Sequence, residues 1–241
     1  MSISDKLQAI LSIFTGGGSR KNSSKEALDE WFKKNYIPRD WKKYQKKNKR
    51  SKDVILNSNK RRGRFLFKGG NSNDERQPRL RMKKGNLTDT AISGGGGVEF
   101  YGYHKCTRCY HHAPSERGVK MREGSTVEHV GCLFHGYSPH TILVAGNTTT
   151  HLTNCVAVDC DDLWLPMKVK HGPKGPHDNP QGFFKQDGSK LYVDGLTLVN
   201  SDLGALRHPD DKAFIGKVDM RGKSEGMKVQ HKGKKENIRS L

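Results

Sequence analysis

Cysteine and histidine residues crowd into one short part of this chain, at spacings that suit a metal ion. Residues 104–112 include Cys106 and Cys109, two thiols separated by two residues. A pair with this spacing can hold one Zn²⁺ between its thiolates. Cys132 and His135, farther along the chain, have Cys-x2-His spacing and can complete the coordination. The sequence therefore predicts a structural zinc site whose ligands are Cys106, Cys109, Cys132 and His135.

Other interpretations of these residues stay open. His111 or His112 can replace His135 as the fourth ligand. Alternatively, Cys132 and Cys155 are small core residues and the histidines are polar surface groups. No catalytic residue is assigned, because the sequence contains neither a P-loop nor an HExxH or deaminase signature.

A second chemical signal is a dense run of positive charge. Residues 39–64 contain twelve basic residues and only two acidic ones, Asp40 and Asp53. Like charges this close repel one another, and a polyanion relieves the repulsion. Trp41 and Tyr44 add flat faces on which nucleic-acid bases can stack. We predict nucleic-acid contact through Arg39, Trp41, Lys42, Lys43, Tyr44, Lys46, Lys47, Lys49, Arg50, Lys60, Arg61, Arg62 and Arg64. A solvated tail or a nuclear-import signal is the alternative interpretation.

The composition supports a basic protein with a modest core. The chain has 241 residues, a formal charge of +19 and a hydrophobic content of 32%. Such a charge favours RNA, DNA or an anionic membrane surface as a partner. Five cysteines cannot all pair within one chain, and the sequence begins without a recognisable signal peptide. We therefore expect an intracellular protein, in cytoplasm or nucleus, whose cysteines are thiols or metal ligands.

Shifts in composition divide the chain into four expected segments. A short amphipathic helix within residues 2–14 precedes a glycine linker, and the glycines at 94–97 form a hinge. The predicted segments are 1–19, the helix and linker; 20–93, a basic arm with one helix near 24–36; 94–220, a compact β domain with the zinc site; and 221–241, a basic disordered tail.

The expected β domain is a sandwich or a barrel, because short β-branched runs alternate with turn-forming residues. A short parallel β-helix is the alternative, since one pattern recurs along the chain. Residues 126–135 are echoed 23 residues later by residues 149–158, which places Cys132 against Cys155. A looser third copy begins near Leu191.

This repeat resembles small β-helix pectate lyases over about a hundred residues. The resemblance implies a parallel β-helix and cleavage of an acidic polysaccharide. Those enzymes are typically secreted and cysteine-bridged, whereas this sequence indicates neither secretion nor paired cysteines.

The function that the sequence favours is sequence-independent binding of nucleic acid, RNA in particular, without catalysis. A basic arm that holds phosphates and a β domain that assembles copies is the layout of small viral coat, nucleocapsid and movement proteins. A β-helix lyase of pectate type is the first alternative. The second is a matrix-like protein that contacts an anionic membrane through residues 2–14 and the arm.

Overall fold

The computed structural model describes residues 19–35, 49–69, 77–112, 118–136, 141–161, 163–166, 188–206, 210–225, 230–231 and 238–240. Within these ranges the chain forms one α-helix, α1 (Ser19–Asn35), one 3₁₀ turn (Gly222–Ser224) and short β-strands that pair in parallel. Helix α1 overlaps the helix expected near 24–36 and begins five residues earlier. No helix in the described part of the chain is long and apolar enough to cross a membrane.

The strands belong to three large sheets and one small sheet. Sheet 1 contains β1 (Val54–Asn57), β4 (Leu80–Lys84), β7 (Val98–Phe100), β10 (Val119–Met121), β13 (Ile142–Val144) and β16 (Trp164–Pro166). Sheet 2 contains β2 (Lys60–Arg61), β5 (Leu87–Thr88), β8 (Tyr103–Thr107), β11 (Thr126–Val130), β14 (Thr149–Thr153), β17 (Lys190–Asp194), β20 (Lys212–Ile215) and β23 (Ile238–Ser240). Sheet 3 contains β3 (Arg64–Phe67), β6 (Ala91–Gly94), β9 (Tyr110–His112), β12 (Leu133–His135), β15 (Val156–Val158), β18 (Leu196–Val199) and β21 (Val218–Arg221). The small sheet pairs β19 (Ala205–Leu206) with β22 (Gln230–His231).

The order of the strands makes a parallel β-solenoid of about six turns. Three consecutive strands visit sheets 1, 2 and 3 in order, and the next strand of each sheet pairs beside the previous one. Turn 1 comprises β1–β3, turn 2 β4–β6, turn 3 β7–β9, turn 4 β10–β12, turn 5 β13–β15 and turn 6 β16–β18. The parallel β-helix alternative is thus confirmed, and the strands do not form the expected sandwich or barrel.

The repeat in the sequence corresponds to one turn of the solenoid. Thr126 of β11 pairs with Thr149 of β14, and Leu133 of β12 pairs with Val156 of β15. The interval of 23 residues therefore aligns equivalent positions of turns 4 and 5. Such stacking buries a continuous core that a single turn cannot form alone.

Alternate side chains of each strand enter the core or face outward, as strand geometry requires. In sheet 2 the inward column runs through Cys106, His129, Leu152 and Val193, all fully buried. Most of the interior is apolar, so Cys106 and His129 are among its few polar groups.

Helix α1 covers the outer face of sheet 3. Its buried residues Ala27 and Trp31 pack in a second apolar cluster with Tyr110 and Leu133. The indole N–H of Trp31 also donates to the carbonyl of Gly131 at 3.2 Å. The helix therefore belongs to the folded unit, although the sequence placed it in a basic arm.

The expected boundary at residues 94–97 is a turn inside the solenoid. Strands β3 and β6, which precede it, pair in the same sheet as β9 and β12, which follow it. Gly97 has a φ of +63°, and a Cβ there would overlap the carbonyl of Gly118 in the next turn. These glycines thus allow successive turns to approach, so the described residues between 50 and 93 are solenoid rather than arm. The described parts of the expected disordered tail contribute β22 and β23.

Substitution of Gly97 by alanine should separate backbone strain from collision between turns. Gly102, with a φ of +82° and open space around its missing Cβ, is the matched control. Gly102→Ala should cost about 1–2 kcal/mol of unfolding free energy, since a left-handed residue with a side chain is strained. Gly97→Ala should cost about 1–3 kcal/mol more, because the turns must move apart. Urea unfolding followed by circular dichroism measures both, and equal losses would contradict the close approach.

Candidate functional site

Three metal-binding side chains meet in the interior of turns 3 and 4. The Sγ atom of Cys106 and one ring nitrogen each of His111 and His129 lie within 4.8 Å of one another. Strands β8 and β11 place Cys106 and His129 side by side, because these two residues are paired across sheet 2. His111 comes from β9 in sheet 3, which faces sheet 2 across the core. This group, named here the Cys/His cluster, could hold a metal ion.

Both histidines of the Cys/His cluster lack hydrogen-bond partners. Neither ring nitrogen of His111 or of His129 has a partner among the described residues, and all four atoms are buried. His104, a third buried histidine, has both nitrogens at carbonyl oxygens, 2.7 Å from Gly85 and 2.8 Å from Tyr101. A buried polar group without a partner costs about 1–3 kcal/mol. His111 and His129 thus differ from His104 in that their ring nitrogens have no hydrogen-bond partner among the described residues.

Aromatic rings pack against both imidazoles, and burial keeps the imidazoles neutral. His111 stacks on Phe134 with ring centres 5.1 Å apart, and His129 meets the same ring edge-on. Burial lowers the pKa of His111 to about 4 and that of His129 well below its usual value. Both rings are therefore uncharged at neutral pH, and the uncharged imidazole is the form that binds metal ions.

The neighbouring thiols form a connected group beside the imidazoles. Burial raises the pKa of the Cys106 and Cys132 thiols, whereas Cys109 is the thiol whose pKa is lowered. Burial opposes the ionisation of Cys109, but hydrogen bonds from Cys106 and Cys132 and the nearby His111 ring outweigh it. The hydrogen bonds among these three thiols therefore favour the ionised form at Cys109.

The structure changes the ligand set expected from the sequence. Phe134 of β12 faces the core, so the next residue, His135, faces outward. The Nδ1 atom of His135 lies 2.9 Å from the hydroxyl oxygen of Tyr110. His135 is thereby separated from the thiols by the thickness of sheet 3. The Cys132 thiol donates to the Cys106 carbonyl at 3.3 Å and lies outside the three-atom cluster. His129, which sequence spacing did not single out, takes part instead.

The residues predicted to bind nucleic acid fall into two groups. Arg39, Trp41, Lys42, Lys43, Tyr44, Lys46 and Lys47 lie outside the described residues, as does the predicted helix at 2–14. Lys49, Arg50, Lys60, Arg61, Arg62 and Arg64 lie in or beside turn 1. Arg50, Arg61 and Arg62 are exposed, whereas Lys60 and Arg64 are half-buried. The described members of this prediction thus share the first turn of the solenoid.

Charge is distributed unevenly along the solenoid. Residues 49–69, which contain turn 1, carry eight basic side chains and a single acidic one, Asp53. Residues 141–161, which contain turn 5, carry no lysine or arginine. The N-terminal turns therefore form a cationic end, separate from a neutral to acidic middle.

A charged group that sequence reasoning missed lies on the outer face of sheet 1. Glu99 of β7 is fully buried there, and its carboxylate pairs with the guanidinium groups of Arg79, Arg81 and Arg122. The hydroxyl of Tyr101 donates to the same carboxylate at 2.8 Å. We call these five residues the Glu99 cluster. The residues come from turns 2, 3 and 4, so no local sequence motif predicts the cluster.

The Glu99 cluster is rich in cations and contains a protonated phenol. The Nζ atom of Lys83 lies 3.3 Å from the centre of the Tyr101 ring, which adds another positive charge. Burial, followed by the hydrogen bond to Glu99, raises the pKa of Tyr101. Tyr101 is therefore a proton donor at neutral pH, and the surplus of arginine favours an anionic ligand.

The chain matches no protein-family model and none of the curated proteins with which it was compared.

All five cysteines should be nearly unreactive in the native protein. Each thiol is free and at most 1% exposed, so a reagent can reach it only when the chain opens. Labelling with a chromogenic disulfide reagent should be at least about 10³-fold slower than in urea. Ile55→Cys, at a position that is 59% exposed, gives a fast-reacting control. Rapid labelling of any thiol in the folded, unsubstituted protein would contradict the arrangement of the core.

Proposed function

We propose that this protein binds nucleic acid, RNA in particular, through the cationic end of its solenoid. The observation that carries the proposal is the unequal charge of turns 1 and 5 described above. A polyanion is attracted to the turns that carry the surplus and is not held by turn 5. Binding is then independent of base sequence and releases counterions as phosphates are neutralised.

The fold gives this charge a fixed arrangement. Arg61 lies on the outer face of sheet 2, where it pairs with Thr88 of the next turn. Arg62 lies at the corner that leads to sheet 3 and has a positive φ. The Arg62 side chain is 89% exposed and lies 4.0 Å from Asp89, so it is open to a phosphate. The basic residues at 39–47 directly precede this surface in the sequence and extend the same charge. The proposal treats them as part of the binding segment.

Neutralising Arg61 and Arg62 together should weaken binding of a single-stranded RNA oligonucleotide and reduce its salt dependence. The loss of two phosphate contacts should lower the slope of log affinity against log salt by about 1.4. Fluorescence anisotropy from about 50 to 200 mM salt measures this slope.

Lys190→Gln with Lys212→Gln provides the matched control for that measurement. Both lysines lie on sheet 2, far from turn 1, so the same charge change should leave the slope nearly unaltered. The proposal fails if the control loses as much as the arginine variant, or if wild-type affinity hardly depends on salt.

A second candidate function is cleavage of an acidic polysaccharide at the Glu99 cluster. Its support is the group of three arginines around Glu99 on a β-solenoid face, together with the protonated Tyr101. Arginine can pair with a uronate carboxylate and so acidify the adjacent C–H bond. Loss of that C–H proton to solvent would form a C=C bond while the C–O bond breaks, and Tyr101 can donate a proton to the departing sugar oxygen. This chemistry corresponds to elimination rather than hydrolysis.

Arg122→Gln tests this second candidate. If the Glu99 cluster eliminates uronate polymers, the substitution should lower the rate by about 10²-fold, because a cation that stabilises developing charge is lost. Formation of unsaturated product is followed by its ultraviolet absorbance. Arg108→Gln, which removes an arginine paired with Asp89 elsewhere on the solenoid, should leave the rate unchanged. The candidate is rejected if wild-type protein yields no unsaturated product.

Several features of the sequence analysis remain proposals of the same kind. We propose zinc as the ion of the Cys/His cluster, because thiolate and imidazole donors together suit it. The five free cysteines support an intracellular location, since thiols persist in a reducing compartment. Assembly into homo-oligomers and contact of residues 2–14 with an anionic membrane stay predictions.

A further inference from the structure

The interior of turns 3 and 4 contains polar groups that neither nucleic-acid binding nor polysaccharide chemistry uses. The Cys/His cluster lies inside the solenoid, whereas the cationic end and the Glu99 cluster face outward. Two imidazoles without partners in an apolar core are unusual, since buried polar groups are nearly always hydrogen-bonded. Each neutral ring has one nitrogen with a lone pair and one N–H group, so a metal ion can bind the lone pair of both rings.

We infer that Cys106, Cys109, His111 and His129 form a closed four-coordinate metal site that joins turns 3 and 4 from within. This inference assigns the ligands of the proposed zinc ion and rests on that proposal. Three of the donor atoms are already gathered within 4.8 Å. Zinc binds sulfur at about 2.3 Å and nitrogen at about 2.0 Å, so its tetrahedral donors lie about 3–4 Å apart. Small side-chain rotations bring the three donors to that separation.

Cys109 is assigned the fourth position. Its buried thiol is hydrogen-bonded with that of Cys106, and Cys109 lies two residues before His111 in the same core. The Cys109 sulfur is not within the three-atom group, so it must rotate toward the ion. Cys132 bonds to the Cys106 carbonyl and is the rival for this position.

The site would act as an interior cross-link. Its ligands come from β8, β9 and the corner between them in turn 3, and from β11 in turn 4. They therefore connect sheets 2 and 3 across the core and link two turns that otherwise meet through backbone hydrogen bonds. Because the surrounding core is closed and apolar, the ion enters during folding, and binding stabilises the folded chain.

The test uses the full chain, unfolded with chelator and refolded with Zn²⁺ or Co²⁺. We expect one ion per chain by elemental analysis, and with Co²⁺ the absorption bands of tetrahedral coordination by two thiolates. His111→Phe and His129→Phe replace each imidazole by an apolar ring of similar size, which the neighbouring Phe134 can accommodate. Each should lower metal affinity at least about 100-fold. His151→Phe, which changes a histidine on the outer face of sheet 2, should retain full metal content.

The outcomes separate the ligand set from the identity of the ion. If the His111→Phe and His129→Phe variants each still bind one zinc ion per chain, the ligand set is overturned and the zinc proposal stands. A different ion at these residues would overturn zinc and retain the ligands. Loss of the thiolate bands in Cys132→Ser rather than Cys109→Ser would overturn the fourth assignment. A folded chain that takes up neither Zn²⁺ nor Co²⁺ would overturn both, whatever its affinity for RNA.

Discussion

Hydrogen bonds between successive turns are the constraint on which the rest of this structure depends. At the corner between sheets 2 and 3, the N–H of Arg62 donates to Thr88 of the next turn, that of Asp89 to Thr107, and so on along the solenoid. Corner residues with side chains adopt positive φ, 55° at Arg62 and 49° at Arg108. Each turn contacts only its neighbours, so a shift at one corner would misalign every column beyond it.

This register converts a repeat in the sequence into columns of side chains. Cys106 and His129 meet because they occupy one column, and His151, Tyr192 and Phe214 stack on the outer face of sheet 2 for the same reason. Interior columns are buried, so a polar member needs a partner within the protein or a bound ligand. The Cys/His cluster is one place where the described interior leaves that requirement unmet.

The same geometry separates the two outward-facing charged surfaces. Successive segments of the chain become successive turns, so a basic stretch of sequence becomes one cationic end of the solenoid. The Glu99 cluster arises differently, since its arginines come from three turns and gather around one buried carboxylate. The first surface is thus a property of one stretch of sequence, whereas the second depends on the stacking of three turns.

The sequence by itself determined the features that depend on local spacing. The repeat between residues 126–135 and 149–158 revealed the period of the solenoid, and the helix predicted near residues 24–36 overlaps α1. The thiols at 106 and 109 also marked the region of the Cys/His cluster. These features can be recognised in the sequence because the periodicity of strands and helices is a property of residues close together in the chain.

Only the tertiary structure decided which side chains face one another. His135 has the right spacing from Cys132 but faces the opposite side of sheet 3, whereas His129 lies in the same inward column as Cys106. The side to which a residue points depends on the phase of its strand, and one position in either direction reverses it. The Glu99 cluster was equally beyond sequence reasoning, because contacts across turns are set by stacking rather than by distance along the chain.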